Sequence, residues 1–182
     1  TEIQAQGYTI YLNQITKKAI CPASIPLAVL DHILADYALS YPPDPTEMTA
    51  TLGGTIATNA SGARSFYYGA TRKWVEALRV VLPTGEIIEV NKEFLEKIRI
   101  PDQEDYDMPK TKNAAGLCLS SDMRSIDLFI GSEGILGLVT DITIKLIERN
   151  SEILTILTYF KSKKNVLDFV DTVIQNKLAL SL

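Results

Sequence analysis

Between Thr51 and Gly62 the chain reads Thr51-Leu-Gly-Gly-Thr-Ile-Ala-Thr-Asn-Ala-Ser-Gly62, a run in which almost every side chain is small and three are glycine. A chain gives up side-chain packing over such a length when something else must lie close to its backbone. Bare amides together with the hydroxyls of Thr51, Thr58 and Ser61 suit a phosphate or a flat polar ring. The run is preceded by Tyr41-Pro-Pro-Asp-Pro45, where prolines fix φ and remove donors, so that part is neither helix interior nor central strand. Long unstructured loops are uncommon in compact domains and usually functional. A second glycine-punctuated run, Gly131-Ser-Glu-Gly-Ile-Leu-Gly137, follows about 70 residues later. Each glycine alone also has a plainer explanation, as a turn that needs positive φ.

Other candidate chemistry is sparse. The single histidine, His32, falls outside the apolar stripe of its helix and reads as a surface residue, and one histidine cannot build a histidine-rich metal site. Cys21 and Cys118 have no metal or redox spacing and read as small buried hydrophobes. No residue stands out as a catalytic base.

Around these runs the elements follow from periodicity. Gly7–Leu12 and Lys18–Cys21 read as strands. Pro26 opens a helix whose Leu27, Leu30, Ile33, Leu34 and Tyr37 recur on one face. Val75–Leu82 and Glu86–Val90 flank Pro83-Thr-Gly85 as a β-hairpin. Residues 91–121 read as a solvated helix and a long loop, and a short helix is expected from Asp122 to Ile130, ended by Gly131. In Leu138–Ile147, the residues Leu138, Ile142, Ile144 and Leu146 share one parity, the mark of a strand with one buried face. The chain turns polar at Glu148–Glu152, where a domain boundary is expected. Beyond it, Ile153–Phe160 reads as a strand and Lys164–Lys177 as an amphipathic helix with Val166, Leu167, Val170, Val173 and Ile174 inward.

A length of 182 residues, 46% hydrophobic and 22% charged, is ordinary for a soluble globular protein of one domain or slightly more. The net charge of −4 argues against nucleic acid as a partner. No stretch approaches a transmembrane length, and no signal peptide is evident. The expected location is the cytoplasm, in solution or peripheral to a membrane.

The two glycine runs, in this order, together with Pro42-Pro-Asp-Pro45, Tyr68-Gly69, Val81-Leu-Pro-Thr-Gly85 and Lys112-Asn-Ala-Ala-Gly116, resemble the FAD-linked oxidase family. This is the vanillyl-alcohol-oxidase (PCMH) type of flavin domain, shared by glycolate oxidase and by D-lactate and D-2-hydroxyglutarate dehydrogenases. The resemblance covers residues 18 to about 150. It implies an α+β fold, an antiparallel sheet with flanking helices, of which residues 1–150 are mainly the second FAD-binding subdomain. Residues 151–182 would be the first strand and helix of a substrate (cap) domain. The carry-over points to Pro45, Thr46, Thr51, Gly53, Gly54, Thr58, Asn59, Ala60 and Ser61 as cofactor contacts. By the same resemblance Glu133, Gly134, Leu136, Gly137 and Val139 would form a second contact segment. The amides of Gly53 and Gly54 would approach anionic oxygens, and Gly134 and Gly137 would offer a flat surface to an aromatic ring.

The family's Gly-rich pyrophosphate loop, in outline Arg-Gly-Gly-Gly-Thr, has no counterpart here, and neither does the histidine that some relatives link to flavin. The expectation is non-covalent FAD, a small hydroxy-acid substrate oxidised by hydride transfer to flavin, and a chain that is a fragment or split part needing the rest of the enzyme, inactive alone. Glu133 reads as a structural or flavin-adjacent carboxylate. The rival reading is a non-catalytic remnant of the flavin fold that serves as an assembly subunit.

Overall fold

The computed structural model describes residues 1–91, 109, 113–114, 116–119, 123–150 and 152–176. The strands are β1 (Glu2–Ala5), β2 (Tyr8–Asn13), β3 (Lys18–Pro22), β4 (Leu39–Ser40), β5 (Val75–Val81), β6 (Ile87–Val90), β7 (Leu138–Lys145) and β8 (Ile147–Glu148). Six of them make one antiparallel sheet in the order β1-β2-β3-β7-β5-β6, and β4 pairs with β8 separately. Period-two alternation gives the sheet one apolar face: Ile10, Leu12, Ala19, Cys21, Leu78, Val80, Ile142 and Ile144 are all buried.

Among the described residues four helices accompany the sheet: α1 (Leu27–Ala35), α2 (Leu52–Ala57), α3 (Ser65–Tyr68) and α4 (Lys163–Asn176), with 3-10 turns at Thr71–Trp74 and Ser125–Leu128. Helix α1 follows Pro26 and buries Leu27, Leu30, Ile33 and Leu34 in the same core as the sheet's apolar face, while His32 is exposed. The antiparallel sheet, the 75–90 hairpin and the helix after Pro26 all stand as the sequence indicates.

Several expectations are corrected. Residues 41–62 are not a plain loop, because α2 lies within them. The edge strand β1 has no strong pattern in Glu2-Ile-Gln-Ala5 and goes unseen in the sequence. The helix expected from Asp122 is a single 3-10 turn at Ser125–Leu128, and Asp122 and most of residues 91–121 lie outside the described residues. Leu138 shares parity with the buried residues of β7 yet is 69% exposed. It sits at the strand's open end, beyond a register shift between Arg79 and Val80.

Residues 153–160 form no strand, since no described segment hydrogen-bonds alongside them. Leu154, Leu157 and Tyr159 stand exposed there. Of the stripe expected inward on α4, only Val173 is buried, with Leu167 at 64% exposure. An amphipathic pattern buries its face only when a neighbouring surface is present to receive it.

Candidate functional site

Where β3 ends, the chain bends and knits three elements together. The Ala23 N–H donates to Thr140 O of β7 at 2.8 Å, while Ala23 O accepts from the Gly53 N–H and Ile25 O from the Leu52 N–H, both at 2.8 Å. The first turn of α2 is thereby fixed beside the start of β7. Thr51 caps the helix, its Oγ1 accepting from the Gly54 N–H at 3.1 Å. At the other end of α2, Ile56 O accepts from the Gly131 N–H and Ala57 O from the Glu133 N–H, both at 2.9 Å. The Ala57 carbonyl would otherwise be an orphan of the helix terminus, whereas the Ile56 carbonyl also accepts from the Asn59 N–H at 3.1 Å. The two glycine runs are therefore bonded to one another through α2.

They border a cleft of about 650 Å³. Six residues named from sequence line it: Thr51, Gly53, Gly54, Gly134, Gly137 and Val139. Ser24, Phe129 and Leu138 complete much of the wall, and no lining residue among the described ones is charged. The surface offers hydroxyls and apolar carbon, a combination that suits a neutral aromatic ring better than a bare phosphate.

The other named residues do not line it. Pro45 is buried and Thr46 exposed on the loop before α2. Thr58 Oγ1 donates back to Gly54 O at 3.1 Å. Asn59 is buried with φ near 47°, a conformation that asparagine tolerates better than most residues. Ala60 O accepts from the N–H and the hydroxyl of Thr71, at 3.0 and 2.8 Å. Ser61 and Leu136 are half-buried, and Glu133 is exposed.

The glycines divide by what a side chain would meet. A Cβ on Gly53 would stand 2.8 Å from Ala23 Cβ, and one on Gly137 would stand 2.7 Å from Val80 Cγ1. One on Gly62 would stand 1.7 Å from Asp44 O, so the small-residue run is closed against its own proline-rich start. Gly134 faces open space at φ near 81°. Gly54 lies in α2, where a Cβ would meet only the Thr51 hydroxyl at 3.2 Å. The amides of Gly53 and Gly54 are both spent inside the protein, contrary to the expectation that they serve anionic oxygens. The Gly134 N–H has no hydrogen bond among the described residues.

A polar hub that the sequence did not reveal braces this arrangement. Arg72 Nη1 donates to Asp127 Oδ1 at 3.0 Å and to Asp127 O at 2.7 Å, and its Nη2 donates to Ile130 O. The Arg72 backbone N–H donates to Asn59 Oδ1 at 3.1 Å. Arg124 closes on the same carboxylate, with Nη2 to Oδ1 at 2.8 Å and Nε to Oδ2 at 3.1 Å, and reaches Arg72 O at 2.8 Å. Burial works to raise the Asp127 pKa, but hydrogen bonds from Arg124, its charge and the Arg72 bond outweigh it and hold the carboxyl below its ordinary value. Arg72 and Asp127 lie 55 residues apart, so neither periodicity nor local motif could pair them. Burial pushes the Cys21 thiol up to about 12, which keeps it a neutral core group.

Among the described residues there is no group of metal-ligating side chains, and no helix is long and apolar enough to cross a membrane. A sequence-family model described as an FAD binding domain matches residues 7–91. The chain is 35% identical over 141 residues to a D-lactate dehydrogenase of Anaerostipes hadrus, covering 78% of this chain and 25% of that protein. It is 35% identical over 146 residues to a D-2-hydroxyglutarate dehydrogenase of Stutzerimonas stutzeri (strain A1501), covering 80% of this chain and 26% of that one. The chain thus spans about a quarter of the length of these curated relatives. The solved structure of an alkyldihydroxyacetonephosphate synthase matches with a TM-score of 0.54 at 23% identity, over 75% of this chain and 20% of that one, a likeness of fold alone.

Proposed function

This chain belongs to the FAD-linked oxidase family, whose cofactor is FAD, and on that basis we propose that it supplies one wall of the FAD site in a dehydrogenase of small 2-hydroxy acids. The observation that carries the proposal is Gly54. Glycine inside a helix costs about 1 kcal/mol relative to alanine. At Gly53, Gly62 and Gly137 close packing explains the missing side chain, but at Gly54 no backbone clash or positive φ requires it. What Gly54 leaves bare is the floor of an uncharged cleft shared with the second glycine run. A planar ring laid there would use that surface.

In this reading Thr51, Gly54, Gly134, Gly137 and Val139 contact the cofactor directly. Pro45, Thr46, Thr58, Asn59, Ala60, Ser61, Glu133 and Leu136 shape the loops that carry those contacts. Thr51 Oγ1 already accepts from Gly54, so its O–H remains free to donate to a ring oxygen or nitrogen. The apolar lining excludes water from one face of the ring. FAD, when bound non-covalently, supplies the chemistry by accepting a hydride from the substrate carbon.

None of the described lining residues is charged, so compensation for the cofactor's diphosphate must come from beyond them. We place the boundary at residue 150, with 151–182 beginning the substrate domain, because no described residue after Leu146 joins the main core cluster. The exposed apolar residues of 153–159 and of α4 then await the remainder of that domain.

The test is the visible spectrum of the protein expressed from the complete reading frame around this segment. Flavin absorbance that co-purifies, or that is acquired on adding FAD, is the expected result. A folded protein that neither carries nor binds FAD would favour a non-catalytic remnant of the fold.

A further inference from the structure

We propose that Arg72 is a positioning residue of the cleft, one that sets the spacing between its two walls without touching what binds there. The proposal rests on the cleft being the FAD site. Two guanidinium contacts and one backbone contact meet at Arg72. The guanidinium holds the carbonyls of Asp127 and of Ile130, the residue just before Gly131. The backbone N–H of the same residue holds Asn59 Oδ1, at the end of the first run. A Cβ on Gly131 would meet Arg72 Nη2 and Asn59 Cβ, each at 3.4 Å, so the three groups are packed in contact.

The consequence for the cleft is geometric. The turn Gly131–Gly137 is attached to α2 by only two amides, Gly131 to Ile56 O and Glu133 to Ala57 O. The first of them belongs to the residue packed against the guanidinium. Arg72 fixes the carbonyl ahead of the first of these amides, and Asp127 with Arg124 keeps the guanidinium in place. The Asp127 side chain is 8% exposed while its two arginine partners are 24% and 35% exposed, so the carboxylate end of these bonds is shielded from solvent. A planar fork can serve a carboxylate and two carbonyls together, whereas an ammonium at the end of a flexible stem cannot reach all three in the same geometry. Charge alone is therefore insufficient at this position.

The experiment uses the complete protein with Arg72→Lys and Arg72→Ala, the latter with and without tens of millimolar guanidinium ion. Two readouts are taken, the dissociation constant for FAD with the shape of the bound flavin's visible bands, and amide hydrogen exchange of the 131–137 segment without FAD. Both variants should weaken FAD binding by about tenfold or more, the scale of losing a charge-assisted hydrogen bond. Both should speed exchange at Gly131 and Glu133, with guanidinium restoring binding and exchange in Arg72→Ala.

Wild-type affinity and band shape in a folded Arg72→Lys protein would overturn the proposal. So would weakened binding without faster exchange at Gly131 and Glu133, or without rescue by guanidinium. If wild-type protein binds no FAD, the cofactor reading fails first, and the exchange data alone decide whether Arg72 holds the turn.

Discussion

At Gly62 a Cβ would stand 1.7 Å from the Asp44 carbonyl oxygen, whereas at Gly54 it would meet a single hydroxyl at 3.2 Å and otherwise the open cleft. Both belong to the same small-residue run. The end near Gly62 is bare because the chain closes on itself, reinforced by the Ala63 N–H to Asp44 O bond at 3.2 Å and the Arg64–Asp44 ion pair at 3.1 Å. Gly53 is likewise packed on Ala23, but Gly54 beside it has no backbone neighbour to account for it. A glycine-rich run is therefore two things at once, a packing solution and an exposed surface, and only the second bears on binding.

Substitutions can break that distinction. Gly62→Ala should be the most damaging, costing more than about 4 kcal/mol or preventing folding, because two backbone segments cannot both occupy the space. Urea unfolding measures it, and wild-type stability would show that the 44–62 closure is wrong.

Asp127→Asn comes next, at about 2–3 kcal/mol, less than for a fully buried pair because both arginines are partly exposed. Its pH signature is specific. A carboxylate with a depressed folded-state pKa contributes stability above its unfolded pKa and loses it as pH falls through the folded value. Thermal melts should separate wild type and Asp127→Asn widely near neutrality and converge on acidification. Gly54→Ala should change stability least, within about 1 kcal/mol of wild type, since better helix propensity offsets slight crowding of the Thr51 cap.

Much of the fold was legible because local periodicity carries it. Helix α1, the 75–90 hairpin and β7 each have an apolar face that needs only neighbours in sequence to be read. Helix α2 was not legible: Gly53-Gly54 argues against a helix, and the element forms because Thr51 caps it and the Ala23 and Ile25 carbonyls receive its first amides. The strand expected at 153–160 failed for the opposite reason, a strong pattern with no partner among the described residues. Of the site, sequence supplied six of the residues that line the cleft but neither the rest of its wall nor the hub behind it. A lone arginine such as Arg72 reads as surface until the fold brings Asp127 and the Ile130 carbonyl to it.

The central claim is that Gly54 is glycine for the sake of a ligand and not for the fold. The direct measurement is flavin content per polypeptide, by visible absorbance, of the complete protein carrying Gly54→Val, together with its thermal unfolding. A protein that melts close to wild type yet retains little or no FAD is the result expected here. A folded Gly54→Val protein with wild-type flavin content would contradict the account.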